Sequence, residues 1–212
     1  YDMTFNYKHI IWDWNGTLIN DLDLVIEAVN TTLQAHNLPE ISTATYLALF
    51  DFPVILFYEK LGFDYTKCSF EDHSKEYHRA YEKGWRKCGL CEGVEAVLKK
   101  HQQAGVTQSI LSASPQWMLE SYIKYFSLQH CFKNLVGQQN DLAQGKIETG
   151  IKWLKQSGLK GEEIVLIGDT VHDHEVAQAL GVDCILVTTG HHPRNKLEKC
   201  GVPILDSLNA LL

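Results

Sequence analysis

The stretch HIIWDWNGTL, residues 9–18, decides the fold, because an apolar run leads directly into an aspartate, a glycine turn and a hydroxyl. Residues 9–13 are predicted to form a strand of a parallel sheet, covered by helices on both faces. Asp13 then lies at the carboxyl end of that strand, where open α/β sheets bind their ligands. The stretch therefore predicts a reactive carboxylate at the edge of the sheet.

Four further segments are predicted to be strands of the same sheet, because each is short and apolar and is followed by turn residues. These segments are 106–112, 134–137, 163–168 and 183–188. Apolar residues at helical spacing fill the intervals, and Gly105, Gly158 and Gly181 follow three of the helices, where a C-terminal cap belongs. The pattern predicts repeated strand–helix–strand units. The predicted fold class is α/β, with a Rossmann-like parallel sheet core.

Residues 20–85 show helical stripes and no strong strand alternation. Asn20 and Asp21 are the candidate N-caps of the first helix in this segment. We therefore predict a Rossmann-like core of residues 1–19 and 86–212, with an all-helical cap of residues 20–85 inserted over the strand ends. Four residues of this cap are candidates for substrate contact: Phe50, Asp51, Phe52 and Tyr58.

The composition is that of an ordinary globular protein, with 212 residues, 45% hydrophobic and 21% charged. A net charge of −7 without a Lys/Arg cluster disfavours nucleic acid and membrane surfaces as partners. No apolar run reaches the ~20 residues of a membrane span, and the N-terminus lacks the layout of a signal peptide. We expect a soluble, cytoplasmic protein, a monomer or homodimer, whose partner is a small molecule.

Polar residues follow the predicted strands at four points, at Asp13, Ser112, Lys146 and the pair Asp169 and Asp173. The carboxyl ends of parallel strands meet at one edge of a sheet, so these side chains are expected to converge. Carboxylates that meet repel each other unless a divalent cation joins them. Because Mg²⁺ prefers oxygen ligands, the sequence predicts a magnesium site.

A phosphate ester fits the other groups at this edge. Lys146 carries a compact positive charge, Ser112 offers a hydroxyl donor, and the turn of residues 15–17 exposes backbone N–H groups. Asp13 can attack phosphorus as a nucleophile, which gives an aspartyl phosphate that water hydrolyses. The residues therefore predict a Mg²⁺-dependent phosphatase that acts on a small phosphorylated metabolite.

Four motifs resemble those of one family. DWNGTL, residues 13–18, is similar to the DxDGTL motif of the haloacid dehalogenase superfamily. ILSAS, residues 110–114, and GKI, residues 145–147, resemble its second and third motifs, and GDTVHD, residues 168–173, its fourth. The resemblance covers essentially the whole chain. It implies a haloacid dehalogenase-like hydrolase of the phosphoglycolate phosphatase-like branch, with a helical cap and a phosphoglycolate-like substrate.

The resemblance also implies roles for single residues. Asp13 is the implied nucleophile and a metal ligand, Asp169 is a second ligand, and Asp173 binds the metal through water or orients the site. The implied substrate-binding residues are Thr17, Ser112, Ala113 and Lys146. Among these, Ser112 and Lys146 are expected to hold the phosphoryl oxygens and belong to the catalytic set.

Asn15 departs from the family pattern. In the family that the chain resembles, the residue at this position binds Mg²⁺ through its backbone carbonyl, and its aspartate side chain protonates the leaving alcohol and activates water. Asn15 keeps the first role and loses the second, because an amide has no proton to exchange near neutral pH. General acid–base help is worth about 10²–10⁴ in rate. The enzyme is then slow, favours a good leaving group such as an acyl phosphate, or uses another acid, for which His172 and His174 are candidates.

Several interpretations remain open. Another reaction of the family, such as phosphoryl transfer, uses the same scaffold, and Asn15 also fits a weakly active or non-catalytic phosphate-binding protein. The Asn15-Gly16 dipeptide favours deamidation, which would create a carboxylate at position 15. Ser114 is interpreted as a turn residue that caps the following helix, with substrate contact as the alternative role. Residues 191–193, His-His-Pro, are interpreted as a solvated loop, with the rim of the site as the alternative position.

Overall fold

The computed structural model describes residues 6–139 and 146–212. Within these residues a six-stranded sheet has the order β3-β2-β1-β4-β5-β6, and all neighbouring strands are parallel. The strands are β1 (His9–Trp12), β2 (Thr107–Pro115), β3 (Asn134–Gln138), β4 (Ile164–Gly168), β5 (Asp183–Val187) and β6 (Ile204–Leu205). The α/β fold class and the five predicted strands are confirmed. The sequence pattern does not predict β6, because two residues are too few to show an alternation.

Helices fill the intervals between the strands. In the described ranges they are α1 (Leu22–Ala35), α2 (Thr43–Leu49), α3 (Val54–Lys60), α4 (Phe70–Glu82), α5 (Val94–Gln103), α6 (Gln116–Tyr125), α7 (Lys146–Ser157), α8 (Val171–Leu180) and α9 (Arg194–Leu197). The first four lie between β1 and β2, and the segment 20–85 contains no strand. The division into a core of residues 1–19 and 86–212 and a cap of residues 20–85 stays a prediction.

Two apolar clusters cover the two faces of the sheet. Strand β1 contributes to both, because Ile10 and Trp12 belong to one cluster and Ile11 belongs to the other. The first cluster continues through the fully buried Trp14 to residues of α1–α4, including Phe57. The helices between β1 and β2 therefore share a continuous core with the sheet, which supports the strand ends from one side.

The strand order positions the functional residues. From β1 the chain continues to β2 on one side, whereas β4 pairs with β1 on the other side. A crevice forms at the carboxyl ends of the strands where the order reverses in this way. Asp13 follows β1, and its backbone N–H donates to the carbonyl of Ile167 in β4 at 2.9 Å. Asp169 directly follows β4, so both carboxylates lie at this crevice.

Among the described helices, none combines the length and apolarity needed to cross a bilayer.

Candidate active site

Three buried carboxylates meet at the crevice. One oxygen each of Asp13, Asp169 and Asp173 lies within 4.8 Å of the others. Burial and the charge of Asp173 together raise the pKa of Asp13 well above its ordinary value, despite the nearby Lys146 ammonium. Burial likewise raises the pKa of Asp169. These raised pKa values show that the carboxylates resist joint ionisation, and a hard divalent cation bound between them would relieve that repulsion.

Lys146, at the start of α7, lies inside this cluster. Its Nζ donates to Asp13 Oδ1 at 2.7 Å and to Asp173 Oδ1 at 2.6 Å, and its side chain is 4% exposed. Burial alone would lower the pKa of Lys146, but the two carboxylates outweigh burial and raise it. The lysine is therefore a fixed positive charge beside Asp13, and the structure brings it to the site where the sequence predicts it.

Asp173 is held in place by the first turn of α8. Its Oδ2 accepts hydrogen bonds from the backbone N–H of Thr170 at 3.0 Å and from the hydroxyl of Thr170 at 2.7 Å, while the Thr170 hydroxyl accepts from the Asp173 N–H. This reciprocal arrangement is a capping box. Burial raises the pKa of Asp173, but the bonds from Lys146 and Thr170 outweigh burial and lower it, so that this carboxylate stays ionised.

Asp169 is fixed by the turn that follows β1. Its Oδ1 accepts from the Thr17 hydroxyl at 2.9 Å, and its Oδ2 accepts from the His191 backbone N–H at 2.6 Å. Gly16 makes this approach possible, because its φ is +71° and a Cβ there would lie 2.5 Å from Asp169 Oδ2. Thr17 is fully buried, so its side chain orients Asp169. A contact between Thr17 and substrate stays a prediction.

The end of β2 brings Ala113 and Ser114 to the site. Ser112 is fully buried, and its hydroxyl accepts from the Ser114 N–H at 3.0 Å. Ala113 and Ser114 line a cavity beside the site, whereas Ser112 does not. The interpretation of Ser114 as a helix cap is wrong, because Pro115 occupies the N-cap of α6 and the Ser114 hydroxyl instead donates to Asn15 Oδ1 at 3.0 Å.

Both polar atoms of the Asn15 side chain form hydrogen bonds. Its Oδ1 accepts the bond from Ser114, and its Nδ2 donates to Asp21 Oδ2 at 2.7 Å and to the Tyr81 hydroxyl at 3.0 Å. The N–H of Gly16, the atom that attacks the amide in deamidation, is itself bonded to Asp21 Oδ1 at 2.9 Å. These bonds oppose deamidation and orient an amide at position 15.

Asp21 is the partner that orients Asn15. It occupies the N-cap position of α1, but its side chain makes no capping hydrogen bond, so its interpretation as a capping side chain is wrong. Its carboxylate is buried and also accepts from the Tyr81 hydroxyl at 2.7 Å. Burial would raise the pKa of Asp21, but hydrogen bonds from His191, Asn15 and Tyr81 lower it. Asp21 is thus an ionised carboxylate directly behind Asn15.

His191 completes this network. The interpretation of residues 191–193 as a solvated loop is wrong for its two histidines, because His191 and His192 are 5% and 0% exposed. The Nε2 of His191 lies 3.3 Å from Asp21 Oδ1, and its Nδ1 lies 3.0 Å from the Tyr46 hydroxyl. Burial alone would lower the pKa of His191, but Asp21 outweighs burial and raises it to about 9. The ring is therefore an imidazolium paired with Asp21.

A cavity of about 150 Å³ lies between α1–α4 and this edge of the sheet. Asp13 and Lys146 border it, and most of its wall is aromatic or aliphatic, formed by Val25, Val29, Tyr46, Phe50, Phe52, Val54, Phe57, Tyr58, Phe70, Tyr77, Tyr81, Met118 and Tyr122. Of the candidates for substrate contact, Phe50, Phe52 and Tyr58 line the cavity and Asp51 does not. His172 also lines it, whereas His174 does not.

The motifs that form the site extend over most of the chain, and a family model described as haloacid dehalogenase-like hydrolase matches residues 10–187. The chain belongs to this family. A 5'-nucleotidase of Pseudomonas aeruginosa is 28% identical to this hydrolase over 204 residues, which cover 92% of the chain and 89% of the relative. A phosphoglycolate phosphatase of Pseudomonas savastanoi is 22% identical, over 97% of the chain and 78% of the relative.

The fold of the hydrolase has a solved counterpart. The crystal structure of a predicted phosphatase from Clostridium acetobutylicum has a TM-score of 0.84 and 19% identity, and the match covers 97% of this chain and 96% of that chain. Together with the family match and the named relatives, this confirms the predicted family, the fold class and the prediction of a phosphatase-type hydrolase.

The sequence motifs do not reveal the network behind Asn15, which consists of Asp21, Tyr46, Tyr81 and His191. Tyr46, Tyr81 and His191 lie outside the four motifs, and Asp21 resembles an ordinary helix cap. The only signal in the sequence is Asn15 itself, since an amide in place of an acid requires different partners. A buried carboxylate that accepts from the amide is such a partner.

Proposed function

We propose that this hydrolase is a Mg²⁺-dependent phosphatase that acts on a small phosphorylated substrate through an aspartyl phosphate on Asp13. The observation that carries the proposal is the Lys146 ammonium between Asp13 and Asp173, with Asp169 in the same group of buried carboxylates. A nucleophile, a fixed cation and metal ligands lie together at the edge of a parallel sheet, beside a cavity.

The residues present fit Mg²⁺. Three buried carboxylate oxygens within 4.8 Å of one another are the hard ligands that this ion prefers. Asp13, Asp169 and the backbone carbonyl of Asn15 would hold the ion, and Asp173 would bind it through water or orient the site. When bound, the ion neutralises charge on the transferring phosphoryl group.

The protein side of the reaction follows from the contacts of Asp13. A carboxylate oxygen of Asp13 attacks phosphorus while the bond to the leaving oxygen breaks, and Lys146 balances the charge of the phosphoryl oxygens. Water then hydrolyses the aspartyl phosphate to inorganic phosphate and regenerates Asp13. Asn15 supplies no proton to the leaving oxygen, so that proton comes from solvent. Ala113, which lines the cavity, is proposed to bind the phosphoryl group together with Ser112, near the end of β2, and Thr17, in the turn after β1.

The cap is proposed to consist of residues 20–85, which close over the substrate and exclude water. A phosphoglycolate-like compound is one candidate substrate, because several relatives carry the name phosphoglycolate phosphatase. The 5'-nucleotidase among the relatives supports a phosphate monoester more generally.

The test is a panel of phosphate monoesters with Mg²⁺, run on the wild type and on Asp13→Asn. The matched control is Asp23→Asn, the same change at an exposed position of α1. We expect Asp13→Asn to reduce kcat/KM by at least about 10³-fold and the control to leave it unchanged. Turnover that survives Asp13→Asn would exclude the covalent route. Phosphate that appears on an added acceptor alcohol, and not in water, would favour phosphoryl transfer.

The second candidate function is phosphate binding without turnover, and Asn15 is the observation that favours it. Its side chain is bonded to Asp21, Tyr81 and Ser114, so it is oriented as part of a fixed structure and has no proton to give. Binding of inorganic phosphate to a protein that turns over no member of the panel would favour this function.

A further inference from the structure

The cavity beside Asp13 offers little to a second anionic group on the substrate. Its only Lys or Arg side chain in the described chain is Lys146, which is already bonded to two carboxylates. Residues 140–145, NDLAQG, contain neither Lys nor Arg. Asp13, Asp169 and Asp173 also line the cavity, so Lys146 and the proposed Mg²⁺ would be taken up in balancing these carboxylates and the phosphoryl group, which leaves no Lys or Arg of the described wall for a substrate carboxylate.

Two of the three histidines that line the cavity do not replace a lysine. Both ring nitrogens of His191 are engaged, one with Asp21 and the other with Tyr46. His172 pairs with Glu175 at 3.0 Å, and its ring stacks on Phe52 with 4.5 Å between ring centroids. The third histidine, His78, lies on α4 and also lines the cavity. The comparison of phosphoglycolate with phenyl phosphate tests whether the His78 ring binds a substrate carboxylate.

The size and chemistry of the wall favour one small ring. Five tyrosines and four phenylalanines are among its lining residues, and aromatic rings pack well against other rings, edge to face or offset. An apolar cavity of about 150 Å³ accommodates a molecule of the size of benzene, and the cavity here has this volume. Because this volume includes the polar end at Asp13 and Lys146, it limits the apolar portion of a substrate to about one ring.

Asn15 points independently to the same substrate class. With an amide at position 15, the leaving oxygen must depart without a proton from that side chain. A phenol, with a pKa of about 10 like that of tyrosine, leaves as its anion far more readily than an aliphatic alcohol does. A phosphate ester of a phenol is thus the ester that least needs the missing acid.

We propose that the substrate is an aryl phosphate, the phosphate monoester of a small uncharged phenol, with its ring in the cavity and its phosphoryl group at Asp13. This proposal rests on the phosphatase function proposed above. Asp13 forms a bond to phosphorus as the bond from phosphorus to the aryl oxygen breaks, and the phenolate leaves with the electron pair and takes a proton from water. A second water then attacks the aspartyl phosphate, loses its proton to solvent and releases phosphate.

Three esters test the contribution of the ring and the contribution of the leaving group separately. Phenyl phosphate has the ring and the good leaving group, benzyl phosphate has the ring and a poor leaving group, and phosphoglycolate has neither. We expect kcat/KM for phenyl phosphate to exceed that for benzyl phosphate by about 10²-fold or more, because Asn15 cannot protonate the leaving oxygen. We expect it to exceed that for phosphoglycolate by a still larger factor. Equal rates for phenyl and benzyl phosphate, or a preference for phosphoglycolate, would overturn the proposal.

Binding to Asp13→Asn, measured by calorimetry, tests the cavity without turnover. We expect phenyl phosphate to bind at least about tenfold more tightly than phosphoglycolate. Tighter binding of phosphoglycolate would overturn the aryl proposal even in an inactive protein. Absence of turnover with all three esters would instead contradict the phosphatase function, so the two failures are distinguishable.

Phe52 lines the cavity, so its substitution tests the preference for a ring. It is partly buried and lies in the segment between α2 and α3, so Phe52→Lys places a cation at the cavity with little cost to the core. We expect about a tenfold loss of kcat/KM for phenyl phosphate and a gain for phosphoglycolate. The matched control is Leu56→Lys on α3, because Leu56 is 48% exposed and does not line the cavity. Phe52→Leu removes the ring alone, and an unchanged preference in both Phe52 variants would contradict the proposal.

Discussion

Replacement of Asn15 by aspartate is the most informative perturbation of the site. In the wild type the Asn15 Nδ2 donates to Asp21 Oδ2 at 2.7 Å. The variant Asn15→Asp replaces this donor by an acceptor, which leaves two carboxylates in contact, one of them buried. Two carboxylates that share a site do not both ionise, so one of the pair must hold a proton. The substitution that restores the family motif therefore destabilises this chain.

The size of the stability loss in Asn15→Asp follows from the free energy needed to keep one carboxyl protonated. An aspartate has an unperturbed pKa of about 3.9, so keeping one carboxyl protonated at pH 7 costs about 4 kcal/mol, at 1.36 kcal/mol per unit. At pH 5 the same reasoning gives about 1.5 kcal/mol. The folded variant binds one more proton than the unfolded chain in this range, so its stability falls as pH rises above the unfolded pKa. The loss relative to wild type should grow by about 1.4 kcal/mol per pH unit.

The assay is urea unfolding of metal-free protein between pH 5 and pH 7, with Asn195→Asp as the control. Asn195 is exposed, so the same change of charge there should alter the free energy of unfolding by less than about 0.5 kcal/mol. The double variant Asn15→Asp with Asp21→Asn restores a donor opposite the new carboxylate. We expect it to recover about 2 kcal/mol or more relative to the sum of the single variants.

Two outcomes would exclude a proton shared between residues 15 and 21 of the variant. If Asn15→Asp is as stable as the wild type at pH 7, Asn15 and Asp21 are not in contact in the folded protein. If its loss of stability does not change with pH, the cost arises from packing and not from a shared proton.

The other predictions concern the charges around Asp13. Lys146→Met should lower the free energy of unfolding of metal-free protein by about 3–5 kcal/mol, because it leaves Asp13 and Asp173 as buried, unpaired carboxylates. The control Lys152→Met, at an exposed position of α7, should change little. Because Asp21 raises the pKa of His191 from 6.5 to about 9, the stability of this ion pair is complete below pH 6.5 and is lost as pH rises towards 9. His191→Gln should flatten the pH dependence of the urea midpoint in that window. Saturating Mg²⁺ at 100 times its Kd should stabilise the wild type by about 2.7 kcal/mol, seen as a higher Tm, and chelation should reverse the effect.

The strand-end residues were predictable because the signal is local. The apolar run of residues 9–13 predicts a buried parallel strand and so locates Asp13, and residues 163–168 do the same for Asp169. Lys146 was predictable from its motif, although its bonds to carboxylates 133 and 27 residues away require the complete fold.

The network behind Asn15 was not predictable, because it depends on packing between distant segments. His191 is buried by contacts with α2, and its ring bonds the Tyr46 hydroxyl, 145 residues away in sequence. Asp21 has the residue type and position of a helix cap, and only the fold turns its carboxylate towards Asn15 and Tyr81. Local patterns therefore predicted the residues proposed for chemistry but not those that orient them.

The proposed mechanism requires that Asp13 become phosphorylated during turnover. The direct measurement is rapid mixing with phenyl phosphate and Mg²⁺, acid quench after one turnover, and mass analysis of the peptide that contains Asp13. Because Asn15 cannot activate water, hydrolysis of the aspartyl phosphate should be the slow step. We predict a burst of phenol equal to the enzyme concentration and a phosphoryl group on Asp13, both absent in Asp13→Asn. Turnover of the ester with no burst and no phosphoryl group on Asp13 would rule out the covalent mechanism.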